Sequence, residues 1–142
     1  MNVLRDTSRL ERMVAVQMLQ QVKSRIFDQG KDSNGGQIGN YSAAYMKQRR
    51  AKNFPSSTQV ILQATGQMHS DFQYANDGDQ FGLGFKNANI DTTGKKKVTS
   101  NSDKAEAVER TYGKEIFKLT DSETKNAHKI VEIEVNKILN GK

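Results

Sequence analysis

"DFQYANDGDQFGLGF", residues 71–85, decides the fold class. Asn76, Asp77, Gly78 and Asp79 make a turn signal, because glycine takes positive φ freely and Asn and Asp tolerate it. Behind the turn, Phe81, Leu83 and Phe85 alternate with glycines. Strand side chains point to opposite faces with period two, so these three share one face. A hairpin pairing residues 72–75 with 80–85 is therefore expected. It is the strongest β signal in a chain whose other segments read mostly as helix, and it points to an α+β domain.

Upstream, Leu10, Val14, Met18, Val22 and Ile26 recur at every fourth position, with Met13, Val16 and Leu19 widening the stripe. That spacing predicts a long amphipathic helix from about Asn2 to Phe27. It stops in "DQGKDSNGGQIGN", residues 28–40, where four glycines stand among Asp and Asn. Ser42 is placed to cap a helix over "AAYMKQRRAK", residues 43–52, which ends before Phe54-Pro55. The next stretch, "SSTQVILQATGQMHSDFQYA", is ambiguous until Gln67, from which a helix or strand leads into the hairpin.

Downstream, residues 86–102, "KNANIDTTGKKKVTSNS", hold only Ile90 and Val98 as sizeable apolar groups. This reads as a long polar loop or arm, and loops of that length tend to carry function. Ser102 or Asp103 is expected to start a helix that Gly113 stops after Tyr112. Thr120 with Glu123 makes a capping-box pattern for a last helix, which Asn140-Gly141 ends. "VEIEV", residues 131–135, alternates as a strand would. The ladder Ala127, Val131, Val135, Leu139 and the two end signals favour helix. The expected architecture is a long N-terminal helix and a C-terminal helix packed on a small antiparallel sheet.

The 142 residues suit one domain, residues 1–142, with a flexible arm at about 86–102. There is no cysteine, so disulfides, thiolate metal sites and thiol nucleophiles are excluded. No apolar run approaches the roughly 18 residues of a membrane span, and neither leader nor anchor is expected. The net charge of +6 invites a nucleic-acid reading. Residues 103–142 hold eight basic and eight acidic residues, so the excess lies elsewhere. It sits at Lys47, Arg49, Arg50 and Lys52, with no acid between 37 and 56, and at Lys95, Lys96 and Lys97. Such clusters are also ordinary solvated surface, and only Tyr41, Tyr45 and Phe54 interleave aromatics with them.

Catalytic patterns are not found. His69 and His128 stand far apart and have no ligand partner at metal-site spacing. An EF-hand started at Asp77 would need its glutamate where Ala88 stands. "GLGF", residues 82–85, matches the carboxylate-binding loop of PDZ domains, but the same glycines suit the open face of a strand, and long flanking helices are foreign to that fold. "GLGFKN" misses the third glycine of the dinucleotide fingerprint. No enzyme, cofactor, metal or catalytic residue is expected.

The order of segments resembles the bacteriophage virion-morphogenesis proteins of the tail-completion and neck type. In that family a hydrophobic pair, then Thr-Gly and a further apolar residue, leads into a serine and a hairpin. Here Ile61, Leu62, Thr65, Gly66 and Met68 hold those places. A Glu-x-x-x-Gly element and then a Phe precede the family's last helix, matched by Glu109, Gly113 and Phe117. Ile38 replaces an aromatic often found after the first glycine loop, and the proline-rich approach to the Phe is replaced by Glu115-Ile116-Phe117. The resemblance implies a structural part of the virion at the head–tail junction, in the neck, in tail completion or as tail terminator, assembled in the host cytoplasm. It implies a homo-oligomeric ring whose partners are the connector or adaptor and the tail tube. Tyr112, Ile116 and Phe117 then become candidate interface residues, and Lys95, Lys96, Lys97, Lys47, Arg49 and Arg50 candidates to face the lumen or passing DNA. The alternative is a small basic nucleic-acid-binding protein.

Overall fold

The computed structural model describes residues 3–77, 80–87 and 100–141. Among them are five α-helices and one two-stranded antiparallel sheet, an α+β fold with long helices at both ends. Helix α1 spans Val3–Lys23 and runs into a single π-helical turn, Ser24–Asp28. Helices α2 (Ala43–Ala51) and α3 (Gln67–Asp71) precede strands β1 (Phe72–Asp77) and β2 (Gln80–Phe85). Helices α4 (Asn101–Tyr112) and α5 (Asp121–Leu139) complete the chain.

The hairpin forms as expected, with Phe72 opposite Phe85 and Tyr74 opposite Leu83, and its first strand runs two residues past 75, through Asn76 and Asp77. Phe72 is buried, and its ring meets those of Phe27, Phe85 and Phe117 at centroid distances of 6.4, 5.1 and 6.0 Å. These edge-on and tilted pairings suit aromatic quadrupoles. Val22, Ile26, Ile38, Val60 and Ile116 fill the rest of this core. A second cluster, Val14, Met18 and Ala127, seals α1 against α5. The two helices run antiparallel: Arg25 at the end of α1 meets Glu123 at the start of α5, while Leu10 and Met13 lie near Ile138.

The π turn buries Arg25, Ile26 and Phe27 in succession. Three consecutive buried residues sweep too wide an arc for one face of a surface helix, so this end of α1 is enclosed on several sides. The enclosed charge is matched. Arg25 Nε donates to Glu123 Oε1 at 2.6 Å, and the other guanidinium nitrogens reach the carbonyls of Lys31, Ile116 and Lys118 at 2.9 to 3.1 Å. One side chain thus ties α1, the glycine loop, the 116–118 segment and α5 together.

The start of α4 differs from expectation. Helix α4 starts at Asn101 and its N-cap is Ser100, not Ser102 or Asp103. The reason is a capping box: Ser100 Oγ accepts from the Asp103 amide while Asp103 accepts from the Ser100 amide. Both ends of the expected arm are also fixed. Asp71 accepts from the Asn87 amide at 2.8 Å and from Asn101 Nδ2 at 2.9 Å, and Asn87 Nδ2 donates to Ser102 Oγ at 3.1 Å. The middle of the arm, with Lys95, Lys96 and Lys97, lies outside the described residues.

His69, on α3, lies edge-on to Phe27 at 5.3 Å. Desolvation lowers its pKa from the ordinary 6.5, Lys23 pushes the same way and Asp28 opposes them. The unfolded chain therefore binds this proton more readily than the fold does, so stability rises with pH through the window just below 6.5 and is lost on acidification. Urea midpoints at about pH 5 and pH 7 should differ less in His69→Phe than in the parent; equal differences would show that His69 is not the group responsible.

Candidate functional site

Helix α2 begins at Ser42, whose hydroxyl accepts from the Tyr45 amide at 3.2 Å. With the cap there, Tyr45 and Arg49 fall on one face of α2, and Tyr41, just before the cap, meets both. The Tyr41 and Tyr45 rings are 5.1 Å apart, and the Arg49 guanidinium carbon sits 4.5 Å above the Tyr41 ring and 5.8 Å from that of Phe54. Such stacking favours a planar cation over aromatic faces. Arg49 also donates to the carbonyls of Pro55 and Gln63, at 2.9 and 2.5 Å. It is only 2% exposed.

Opposite α2 stands α4, which presents Lys104, Ala107, Val108, Thr111 and Tyr112 at helical spacing. Between the two helices lies a cleft of about 720 Å³, floored by Val60, Leu62 and Met68 and lined largely by apolar surface. The Tyr112 ring packs closely against Gly39, where a Cβ would come within 2.8 Å of it. Desolvation, then the neighbouring Tyr41 and Tyr45, raise the Tyr112 pKa above 10, so its phenol is neutral at physiological pH. No carboxylate lines the cleft, while Lys104 and Arg49 both do.

The turn after α4 explains the Glu-x-x-x-Gly spacing. Gly113 takes a left-handed conformation, φ 63°, and ends the helix with its amide on the Glu109 carbonyl. The chain then doubles back, and Glu109 Oε1 accepts from the amides of Ile116 and Phe117 at 2.8 and 3.1 Å. One carboxylate thus replaces the backbone partners that the turn removes. Glu109→Ala should lower stability by about 1–3 kcal/mol, with Glu109→Gln in between, as denaturant midpoints would register; an unchanged midpoint in the alanine variant would mean the two amides find another acceptor.

The structure rearranges the expected site residues. Ile116 is fully buried beneath the Glu109 turn and is core rather than interface. Phe117 is half-buried against Phe72 and Phe85, so it too closes the core. Tyr112 alone of the three lines an open surface. Arg49 is withdrawn from any lumen-facing or DNA-facing set because its guanidinium is spent on rings and carbonyls. Lys47 and Arg50 are exposed on the outer side of α2. Gly82 and Gly84 pair with Ala75 and Gln73 in the hairpin, so "GLGF" is strand rather than a carboxylate-binding loop.

Sequence reading missed the cleft, although the Tyr41–Tyr45–Arg49 spacing around a serine cap was a usable signal. The α5 ladder is helical as expected, and of its four residues only Ala127 is buried; Val131 and Val135 are each 37% exposed and Leu139 77%. Among the described residues no group of three or more His, Asp or Glu could hold a metal ion. No helix among them is long and apolar enough to cross a membrane. No family model, curated protein or solved structure matches the chain.

Proposed function

We propose that this chain is a structural virion component at the phage head–tail junction, acting in the neck, in tail completion or as tail terminator through ring-forming protein contacts. The observation that carries the reading is the uncovered apolar edge of α5: Val131, Val135 and Leu139 follow at steps of four along one side of the helix and all remain exposed. Contiguous exposed apolar surface marks protein–protein contact. The family resemblance supplies the setting, with the connector or adaptor on one side and the tail tube on the other, and with DNA passing through the lumen. Host cytoplasm is then the place of assembly and the virion the destination.

A second reading has its own observation. Lys47 and Arg50 on α2 and Lys52 just past its end are exposed, in a chain of net charge +6, which suits a phosphate backbone. Light scattering across a concentration series separates the two. A closed assembly of defined mass is expected. A strict monomer that binds short duplex DNA with affinity falling steeply as salt rises would replace the ring reading with the nucleic-acid one.

A further inference from the structure

We propose that the cleft between α2 and α4 is a docking site for a second copy of this chain, and that the exposed face of that copy's α5, around Val131–Val135, enters it. The proposal rests on the ring-forming reading above and names the surfaces through which a ring closes.

Each surface holds what the other lacks. The cleft offers the faces of Tyr41, Tyr45 and Tyr112 over an apolar floor, with Lys104 and Arg49 and no acid in its lining. Flat aromatic faces are good receivers for branched aliphatic side chains and are enriched where proteins meet. Lys104 meets only the Gln67 amide oxygen, at 3.4 Å, and has no ion pair among the described residues.

On α5 the complement is Val131, Val135 and Leu139, exposed at steps of four, with Glu132 beside them on the helix. Glu134 is engaged by Lys137 at 2.8 Å, whereas exposed Glu132 has no ion pair among the described residues. Apolar side chains beside an unmatched carboxylate fit an aromatic cleft with an unmatched cation, and such complementarity fixes register. The two surfaces share no residue, so one chain can give and receive at once. Contacts between different patches are heterologous and close into rings when the rotation allows.

The absence of cysteine allows a direct test. Ala107→Cys lies in the cleft and Val135→Cys on the α5 face. An oxidised mixture of the two single variants should yield the mixed disulfide several-fold over either homodimer. Lys104→Glu and Glu132→Lys should each raise the concentration for half-assembly roughly tenfold or more, and the double variant should restore it. Unchanged helical circular dichroism confirms that the variants fold. Assembly that persists in both charge variants, without the mixed disulfide, would overturn the docking, leave the ring reading standing and assign the cleft to a partner protein's segment. A parent chain that stays monomeric at every concentration would overturn both.

Discussion

Arg25→Leu lowers stability by about 3–5 kcal/mol and the melting temperature by more than about 10 °C. The guanidinium is enclosed with Glu123, and removing it leaves that carboxylate buried without a counter-charge. It also deprives the carbonyls of Lys31, Ile116 and Lys118 of a donor. Breaking one side of a buried pair costs far more than the pair itself contributes, because an uncompensated charge cannot return to water. Arg25→Leu combined with Glu123→Leu should therefore recover part of the loss. The recovery is incomplete, since the carbonyls stay unmatched and the capping box at Thr120 loses its second half. Thermal melts of the two variants and the parent test this; a single variant within about 1 kcal/mol of the parent would contradict it.

Gly30→Ala should cost about 2–4 kcal/mol. Gly30 has φ +63°, and a Cβ there would lie 2.2 Å from the Val60 carbonyl oxygen. That oxygen is backbone in the core crossing between the 28–40 loop and residues 58–60, held by the Val60 amide on the Gly39 carbonyl at 2.9 Å. It cannot yield without moving Val60, which is fully buried. Gly35 separates the two causes of strain. Its φ is +82° but nothing lies within 4 Å of the position its Cβ would take. Gly35→Ala should accordingly cost only about 1 kcal/mol, from the left-handed backbone alone. Equal costs at the two positions would show that the close approach to Val60 is not what makes Gly30 necessary.

Periodicity and caps made much of the architecture readable. The every-fourth stripe from Leu10 to Ile26 gives α1, Ser42 and Thr120 give the starts of α2 and α5, and the turn before Phe81 gives the hairpin. These are local signals, each contained within a few residues. What stayed hidden depends on contacts distant in the chain. Arg25 sits at the end of an apolar stripe and reads as a boundary charge, because its partner is Glu123, 98 positions on. Arg49 reads as one cation in a basic run, and only the fold brings Pro55, Gln63 and Phe54 around it. Glu109 and Gly113 were noticed as a spacing, but the chemistry behind it, one carboxylate serving two amides, needs the turned backbone. The cleft has the same origin: its walls are α2 and α4, separated by the whole hairpin and arm.

The Arg25 clamp bears on the order of events during synthesis. A ribosome delivers α1 first and Glu123 only after most of the chain has been made. Until then the end of α1 carries an arginine that cannot be enclosed without penalty, so packing of Val22, Ile26 and Phe27 beside it is opposed by an unmatched charge. Non-local pairings of this kind slow folding, since the intervening chain must be brought together before the contact rewards it. Fragments that end before residue 123 should therefore stay open and sensitive to protease. Such behaviour would make the clamp a check on completeness, tying the closing of the core to the arrival of α5.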